Sequence, residues 1–243
     1  MSYEYLAEQY DGLMYDAPSE EWFSYITKLT GPPCRVLEYA CGTGRITEQL
    51  VRSGYETIAV DRSEAMLNRA LTRLRPLGGH VDLIQADMRV FRLNHPVQLA
   101  LCICDGVNYI HTDAELQEFF CNVAANLQKS GRFVFDISSA YKLSRVLGNE
   151  FFYDDNDDST LFWSNQYNPR TKLSEMDITL FQRRGQYYER FDEVHVQRAW
   201  EEAEITEALA LAGFQDIRVY EFGTFQPPHD KSTRIQFVAL QSK

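Results

Sequence analysis

The sequence predicts an α/β fold, doubly wound around a mostly parallel sheet, with an antiparallel β subdomain inserted late in the chain. Three observations lead there. Short apolar runs alternate with amphipathic helical stretches from residue 35 to 137, long aromatic strand-like segments replace them from about 141 to 201, and the alternation returns near 205. Strands that alternate with helices imply parallel pairing, because each crossover helix covers a sheet face. At 243 residues the chain can bury a core without disulfide or metal staples.

The elements follow in order. Tyr3 to Tyr15 reads as an aromatic-rich helix and Trp22 to Leu29 as a second. Arg35 to Glu38 is a short apolar strand, followed by the turn YACGTG and a helix over Arg45 to Arg52 that Gly54 stops. Thr57 to Val60 is the second strand. Ser63 caps a helix carrying Met66, Leu67, Ala70, Leu71 and Leu74, which Pro76, Gly78 and Gly79 end. Val81 to Gln85, Gln98 to Cys104 and Phe133 to Ile137 give three more strands. Between the last two, Thr112 to Glu115 spells a capping box that opens a helix with Leu116, Phe119, Phe120, Val123 and Leu127 inward.

The inserted unit reads as three antiparallel strands, Thr160 to Tyr167, Leu173 to Arg183 and Tyr187 to Gln197, with a turn at Asn168, Pro169 and Arg170. A helix over Ile205 to Leu211 and strands over Ile217 to Phe222 and Arg234 to Leu240 complete a seven-stranded sheet. The expected domains are therefore 1–140 with 202–243, and an inserted antiparallel β cap at 141–201.

Composition narrows the function. The 24 basic and 35 acidic residues leave a net charge of −11, which repels phosphate polyanions and anionic lipid, so nucleic acid is a disfavoured partner. No apolar run is long enough to span a bilayer, and MSYEYLAEQYDG lacks the basic and apolar regions of a signal peptide. The five cysteines have no C-x-x-C or Cys/His metal spacing and read as reduced thiols of a cytoplasmic protein without a metal site.

Ligands of an open parallel sheet lie beyond the carboxyl ends of its strands, near the reversal of strand order. After strand one come Glu38, Tyr39, Ala40, Cys41, Gly42, Thr43 and Gly44, small residues that let a ligand rest on backbone. The dinucleotide fingerprint needs a third glycine at position 47, where this chain has Thr47, which argues against a nicotinamide cofactor. Asp61 ends strand two, where a carboxylate suits the vicinal hydroxyls of a ribose. Ala86, Asp87 and Met88 follow strand three. Cys104, Asp105, Gly106, Val107, Asn108 and Tyr109 follow strand four. Carboxylates at successive strand ends repel a pyrophosphate and suit a nucleoside bearing positive charge.

The ordered segments E-Y-A-C-G-T-G, V-D-R-S-E-A-M-L and Q-A-D-M resemble those of the class I S-adenosylmethionine-dependent methyltransferases, over Val36 to about Ile137. The stretch Y-D-G-L-M from Tyr10 to Met14, the D-G-V-N-Y segment and the late insertion are similar to the YqeM-like bacterial methyltransferases. The resemblance implies a Rossmann-like methyltransferase sheet and S-adenosyl-L-methionine as cofactor, released as S-adenosyl-L-homocysteine. It also implies roles. Ala40, Gly42 and Gly44 would face the methionine part of the cofactor and Glu38 would hold its amino group. Asp61 would take the ribose hydroxyls, Met66 would pack on the adenine, and Asp87 with the Met88 backbone amide would meet the adenine edge. Asp105 would lie near the methionine amine or the transferring methyl, and Tyr10 and Met14 would close the site from above. Ala40 departs from the glycine of many relatives.

Several residues have a second reading. Met66 at helical spacing fits a core position, and Asp105 and Asn108 fit turn caps. His111 fits a helix start. His195, between Val194 and Val196, faces either cleft or solvent. Asp154, Asp155, Asp157 and Asp158 read as a solvated loop. The insertion's aromatics, among them Phe162, Trp163, Tyr187 and Tyr188, suit a substrate lid or a dimer contact, the lid being the favoured reading, and the chain is expected as monomer or homodimer.

The expected activity is methyl transfer to a small-molecule acceptor by in-line displacement. Asp105, Tyr109 and His111 are the candidates for a base, none assigned. Methylation of RNA or a ribosomal component is the alternative, opposed by 13 acidic against 6 basic residues over 150–204. A non-catalytic cofactor-binding partner protein is the third reading.

Overall fold

A computed structural model describes residues 7, 10–13, 18–78 and 81–242. Its main sheet contains β1 (Arg35–Tyr39), β2 (Glu56–Asp61), β3 (Val81–Gln85), β4 (Val97–Cys102), β5 (Leu127–Ser138), β10 (Phe214–Glu221) and β11 (Arg234–Gln241), in the order β10-β11-β5-β4-β1-β2-β3. Pairing is parallel from β5 through β4, β1 and β2 to β3. Only β11 runs against its neighbours, pairing antiparallel with both β5 and β10.

Strand order reverses at β1, which lies between β4 and β2. Register sets the turns there at one level, since Tyr39 is opposite Val60 on β2 and Cys102 on β4, and Asp61 is opposite Gln85. The turns that follow these strands therefore open onto one crevice.

Helices cover both faces because the strands are apolar on both. On one face α2 (Ser19–Thr30) and α3 (Arg45–Arg52) set Trp22, Ile26, Ile46 and Leu50 against Val36, Leu101 and Val134. On the other, α5 (Asp113–Asn126) and α6 (Glu202–Leu211) bury Phe119, Phe120 and Leu209 with Phe133, Phe135 and Phe237. The Phe135 and Phe237 rings stack at 4.9 Å across β5 and β11. Each such buried ring contributes about 1.5–3 kcal/mol.

Helix starts follow the capping chemistry in the sequence. Ser63 Oγ accepts from the Met66 amide at the start of α4 (Glu64–Leu74), and Thr112 with Glu115 forms the expected capping box of α5. The start of α6 is three residues earlier than the apolar periodicity indicates, because Glu201 and Glu204 form a reciprocal box. Glutamate at the cap position is outside the usual Ser/Thr signature. Of the N-terminal helix expected over 3–15, Tyr10–Leu13 is described and is helical (α1).

The inserted sheet has four strands, not three: β6 (Phe151–Asp155), β7 (Ser159–Asn168), β8 (Leu173–Arg184) and β9 (Tyr187–Arg198), antiparallel in that order. Sequence reading misses β6 because every one of its residues is exposed, so no inward face marks it. Asp154 and Asp155, expected in a loop, pair with Leu161 and Thr160 through the backbone while their side chains stay in solvent. The edge strand β9 docks on the turn after β4. Asn108 Nδ2 donates to Arg198 O at 2.9 Å, Gln197 Nε2 to Asp105 Oδ2 at 2.7 Å, and His111 Nε2 meets Val196 O at 2.9 Å.

Candidate active site

A cavity of about 440 Å³ opens where β1, β2, β3 and β4 end. That size is within the range of small-molecule sites. Of the residues singled out in the sequence, Tyr10, Glu38, Ala40, Gly42, Asp61, Met66, Asp87, Met88, Tyr109 and His111 share its wall. Gly44 and Asp105 are not among the lining residues, and Met14 lies outside the described residues.

The β1 turn is built for close approach. Gly42 has φ +55°, and a Cβ placed on it would meet nothing within 4 Å, so the backbone faces open space. Ala40 holds φ +51° despite its methyl group, a conformation that costs a non-glycine residue roughly 1–2 kcal/mol. Gly44 serves packing instead. A Cβ there would stand 3.1 Å from Ala70 Cβ, so its absence lets α4 press against the turn.

Asp61 ties this turn to the next strand. Its Oδ2 accepts from the Gly42 amide and its Oδ1 from the Ser63 amide, each at 2.8 Å. Burial pushes its carboxyl up from the ordinary range, and these two N–H groups pull it part of the way back. Each oxygen keeps a second lone pair for a ligand hydroxyl.

Glu38 is 3% exposed at the cavity floor and accepts from Thr47 Oγ1 at 2.6 Å. The threonine that breaks the dinucleotide glycine pattern is thus a partner of this carboxyl. Burial raises the Glu38 pKa to about 8, against the Thr47 hydrogen bond and with help from the Asp61 charge. Among the described residues no cationic side chain offsets this burial.

Asp87 is not the lone anion that sequence reasoning implies. Arg89 clamps it through Nη2 at 2.6 Å and Nε at 3.0 and 3.2 Å, and bridges to Glu115. The Arg89 hydrogen bonds hold Asp87 below the ordinary carboxylate range. Arg45 and Arg62 also line the cavity, so its charge is mixed.

Asp105 turns away into an ion cluster. Its Oδ1 accepts from Arg234 Nη2 at 2.7 Å and Oδ2 from Gln197, while Arg234 also pairs with the fully buried Asp136. Burial raises Asp105, and Arg234 and Lys142 beside it outweigh that, so its carboxyl ends below the ordinary range. Asp136 Oδ1 accepts the Cys104 amide at 2.7 Å, which fixes Cys104 and Asp105 at φ +64° and +53°. Arg234 has no motif signal, because it meets the site only through the reversed strand β11 at the far side of Trp22, whose ring it faces at 5.1 Å.

Gly106, which the sequence marks only as part of the turn after strand four, has a packing role. A Cβ there would be 2.8 Å from Cys102 Sγ and 3.1 Å from Ala40 Cβ. On the fourth side, Val194 and Val196 of β9 complete the wall beside Tyr109 and His111.

A carboxylate held by two backbone amides at a strand end, a buried carboxyl with a raised pKa and open backbone at a glycine turn fit an adenosine sulfonium. Together with the seven-stranded sheet they define a class I S-adenosylmethionine-dependent methyltransferase. Residues 36–131 match the family model described as "Methyltransferase domain". Over 245 aligned residues the chain is 33% identical to the methyltransferase-family protein YqeM of Bacillus subtilis, covering 100% of this chain and 98% of the relative. A crystal structure of an S-adenosylmethionine-dependent methyltransferase from Clostridium acetobutylicum superposes with a TM-score of 0.90 at 32% identity, covering all of both chains. A dTDP-3-amino-3,4,6-trideoxy-alpha-D-glucopyranose N,N-dimethyltransferase of Streptomyces venezuelae is 29% identical over 49% of each chain. The chain belongs to the YqeM-like family of S-adenosylmethionine-dependent methyltransferases.

Proposed function

We propose that the protein methylates a small-molecule acceptor held between the cavity and the inserted β cap at 141–201, the α/β domain being 1–140 with 202–243. The observation that carries this reading is the wall that β9 adds. Val194 and Val196 line the cavity beside Tyr109 and His111, so the cap supplies part of the wall of a chamber of about 440 Å³, a size suited to small molecules. Among the described residues no helix is long and apolar enough to cross a membrane. The five free thiols suit a cytoplasmic location.

In this reading Glu38 holds the amino group of S-adenosyl-L-methionine and the backbone at Ala40 and Gly42 lies under its methionine chain. Asp61 takes the ribose hydroxyls, Met66 packs on the adenine, and Asp87 with the Met88 backbone meets the adenine edge. Tyr10 covers the site. Gly44 and Asp105 act from behind, one by packing α4 and one by holding the β4 turn. When bound, the cofactor supplies a methyl group on a positively charged sulfur. The chain's own contribution is to align acceptor and donor and to exclude water, which is worth of order 7–11 kcal/mol. The similarity to an amino-sugar N,N-dimethyltransferase supports a small polar acceptor.

Calorimetric titration with S-adenosyl-L-homocysteine tests the binding part. Affinity near micromolar, about −8 kcal/mol, is expected. Asp61→Ala should weaken it by at least ~100-fold, the loss of two hydrogen bonds to a charged group. Undiminished binding in that variant would remove the ribose assignment. Incubating cell extract with the enzyme and a methyl-deuterated cofactor identifies the acceptor; label found in RNA would replace the small-molecule reading.

A further inference from the structure

Strand β9 inverts the usual alternation of a strand lying on a protein body. Val194 is exposed, whereas Glu193, His195 and Gln197 are buried. Buried polar side chains cost desolvation unless each finds a partner. Gln197 finds Asp105 and docks the strand. His195 does something else. Its Nδ1 lies 3.3 Å from the Tyr109 hydroxyl, a length usual for an acid–base contact not yet closed on substrate. Its Nε2 lies 3.0 Å from Glu193 Oε2, within ion-pairing distance, and the two side chains are 2% and 3% exposed. The contact is a matter of distance and charge, not an aligned hydrogen bond; with the proton on Nε2 beside that carboxylate, the Nδ1 lone pair faces the phenol. Tyr109 itself stands on the cavity wall. A carboxylate, an imidazole and a phenol thus form a chain from the dry underside of the inserted sheet to the cavity.

We propose that Tyr109, His195 and Glu193 are the proton outlet for an amine acceptor, an inference that rests on the small-molecule reading above. An aliphatic amine near neutral pH is an ammonium without a lone pair. Its nitrogen gives a proton to the Tyr109 oxygen as the Tyr109 hydroxyl proton passes to His195 Nδ1. The N–H bonding pair stays on nitrogen as the lone pair that methylation needs. The imidazolium faces Glu193 until product leaves, when the proton returns through Tyr109 to water in the open cavity.

The chemistry selects the acceptor class. Moving a proton from an alkylammonium to an imidazole is uphill by roughly 10⁴, whereas from a hydroxyl as weakly acidic as water it is uphill by roughly 10⁹. The chain therefore serves an amine and not an alcohol, while a thiol, uphill by only roughly 10² and already partly ionised, needs it less. Around it stand Met176, opposite His195 on β8, and the titratable groups Asp105 on the β4 turn and Tyr10 on α1, which interacts electrostatically with Tyr109.

The test supplies methyl-tritiated S-adenosyl-L-methionine and the small-molecule filtrate of a bacterial extract as acceptor pool. Wild type should label an amine. At about pH 6.5 Tyr109→Phe and His195→Gln should each slow labelling by roughly 100-fold, the scale of general acid–base catalysis. Homocysteine-product affinity should stay within about two-fold, and the deficit should shrink below about ten-fold near pH 9.5, where about a tenth of the acceptor already carries a lone pair. A deficit that is constant across pH would reduce the chain to a docking contact and overturn the proposal, as would a product methylated at sulfur, oxygen or carbon. No label from wild type would instead remove the small-molecule reading, and this inference with it. If His195→Gln does not fold, Tyr109→Phe decides, since it removes a single oxygen.

Discussion

Burial of the Glu38 carboxyl makes the stability of the ligand-free protein fall with rising pH, and Glu38→Gln exposes that cost. With its pKa at about 8 in the fold against 4.5 in water, the folded state binds one more proton than the unfolded state between those values. Stability then falls as pH rises, by about 1.4 kcal/mol per pH unit, with the loss complete above the folded pKa. Glutamine keeps the Thr47 hydrogen bond and has nothing to titrate. From pH 5 to 8 the variant should gain on wild type by about 3–4 kcal/mol, or roughly 6–16 °C in Tm for a chain of this size. Calorimetric melts of both ligand-free proteins across that range measure it directly. Parallel Tm curves would refute the argument, because they would mean that the buried carboxyl carries no displaced proton. The same proton should appear on binding: at pH 7, wild type should release close to one proton to buffer when S-adenosyl-L-homocysteine binds, and the variant none.

The other predictions concern the scaffold. Gly106→Ala forces a Cβ to within 2.8 Å of Cys102 Sγ and 3.1 Å of Ala40 Cβ, so a loss of about 1–3 kcal/mol is expected in urea unfolding. Arg234→Met leaves Asp105 and Asp136 without their guanidinium and should cost about 3–5 kcal/mol at pH 8. That penalty should ease toward pH 5 as the orphaned carboxyls take up protons, which denaturation at the two pH values compares. A filter-binding titration with RNA in low salt should find weak association at most, given the net charge of −11.

What the sequence determined by itself is local or periodic. Ser63 and Thr112 announce their helices, since a cap is a contact between residues three apart. The apolar runs and glycine turn after β1 place Glu38, Gly42, Asp61 and Asp87 at successive strand ends, and a parallel sheet can only bring those ends to one rim. Thr47 was visible as a departure from a pattern, though its bond to Glu38 was not. Tertiary structure decided everything that depends on distant segments meeting. Arg89, two residues from the Asp87 it neutralises, is also tied to Glu115 on α5, and Arg234 draws Asp105 off the cavity wall from almost the far end of the chain. His195 alternates with valines in a way that fits either face of β9. Its direction was settled only by docking on Tyr109, 86 residues away, because strand periodicity fixes which residues share a side but not which side is covered.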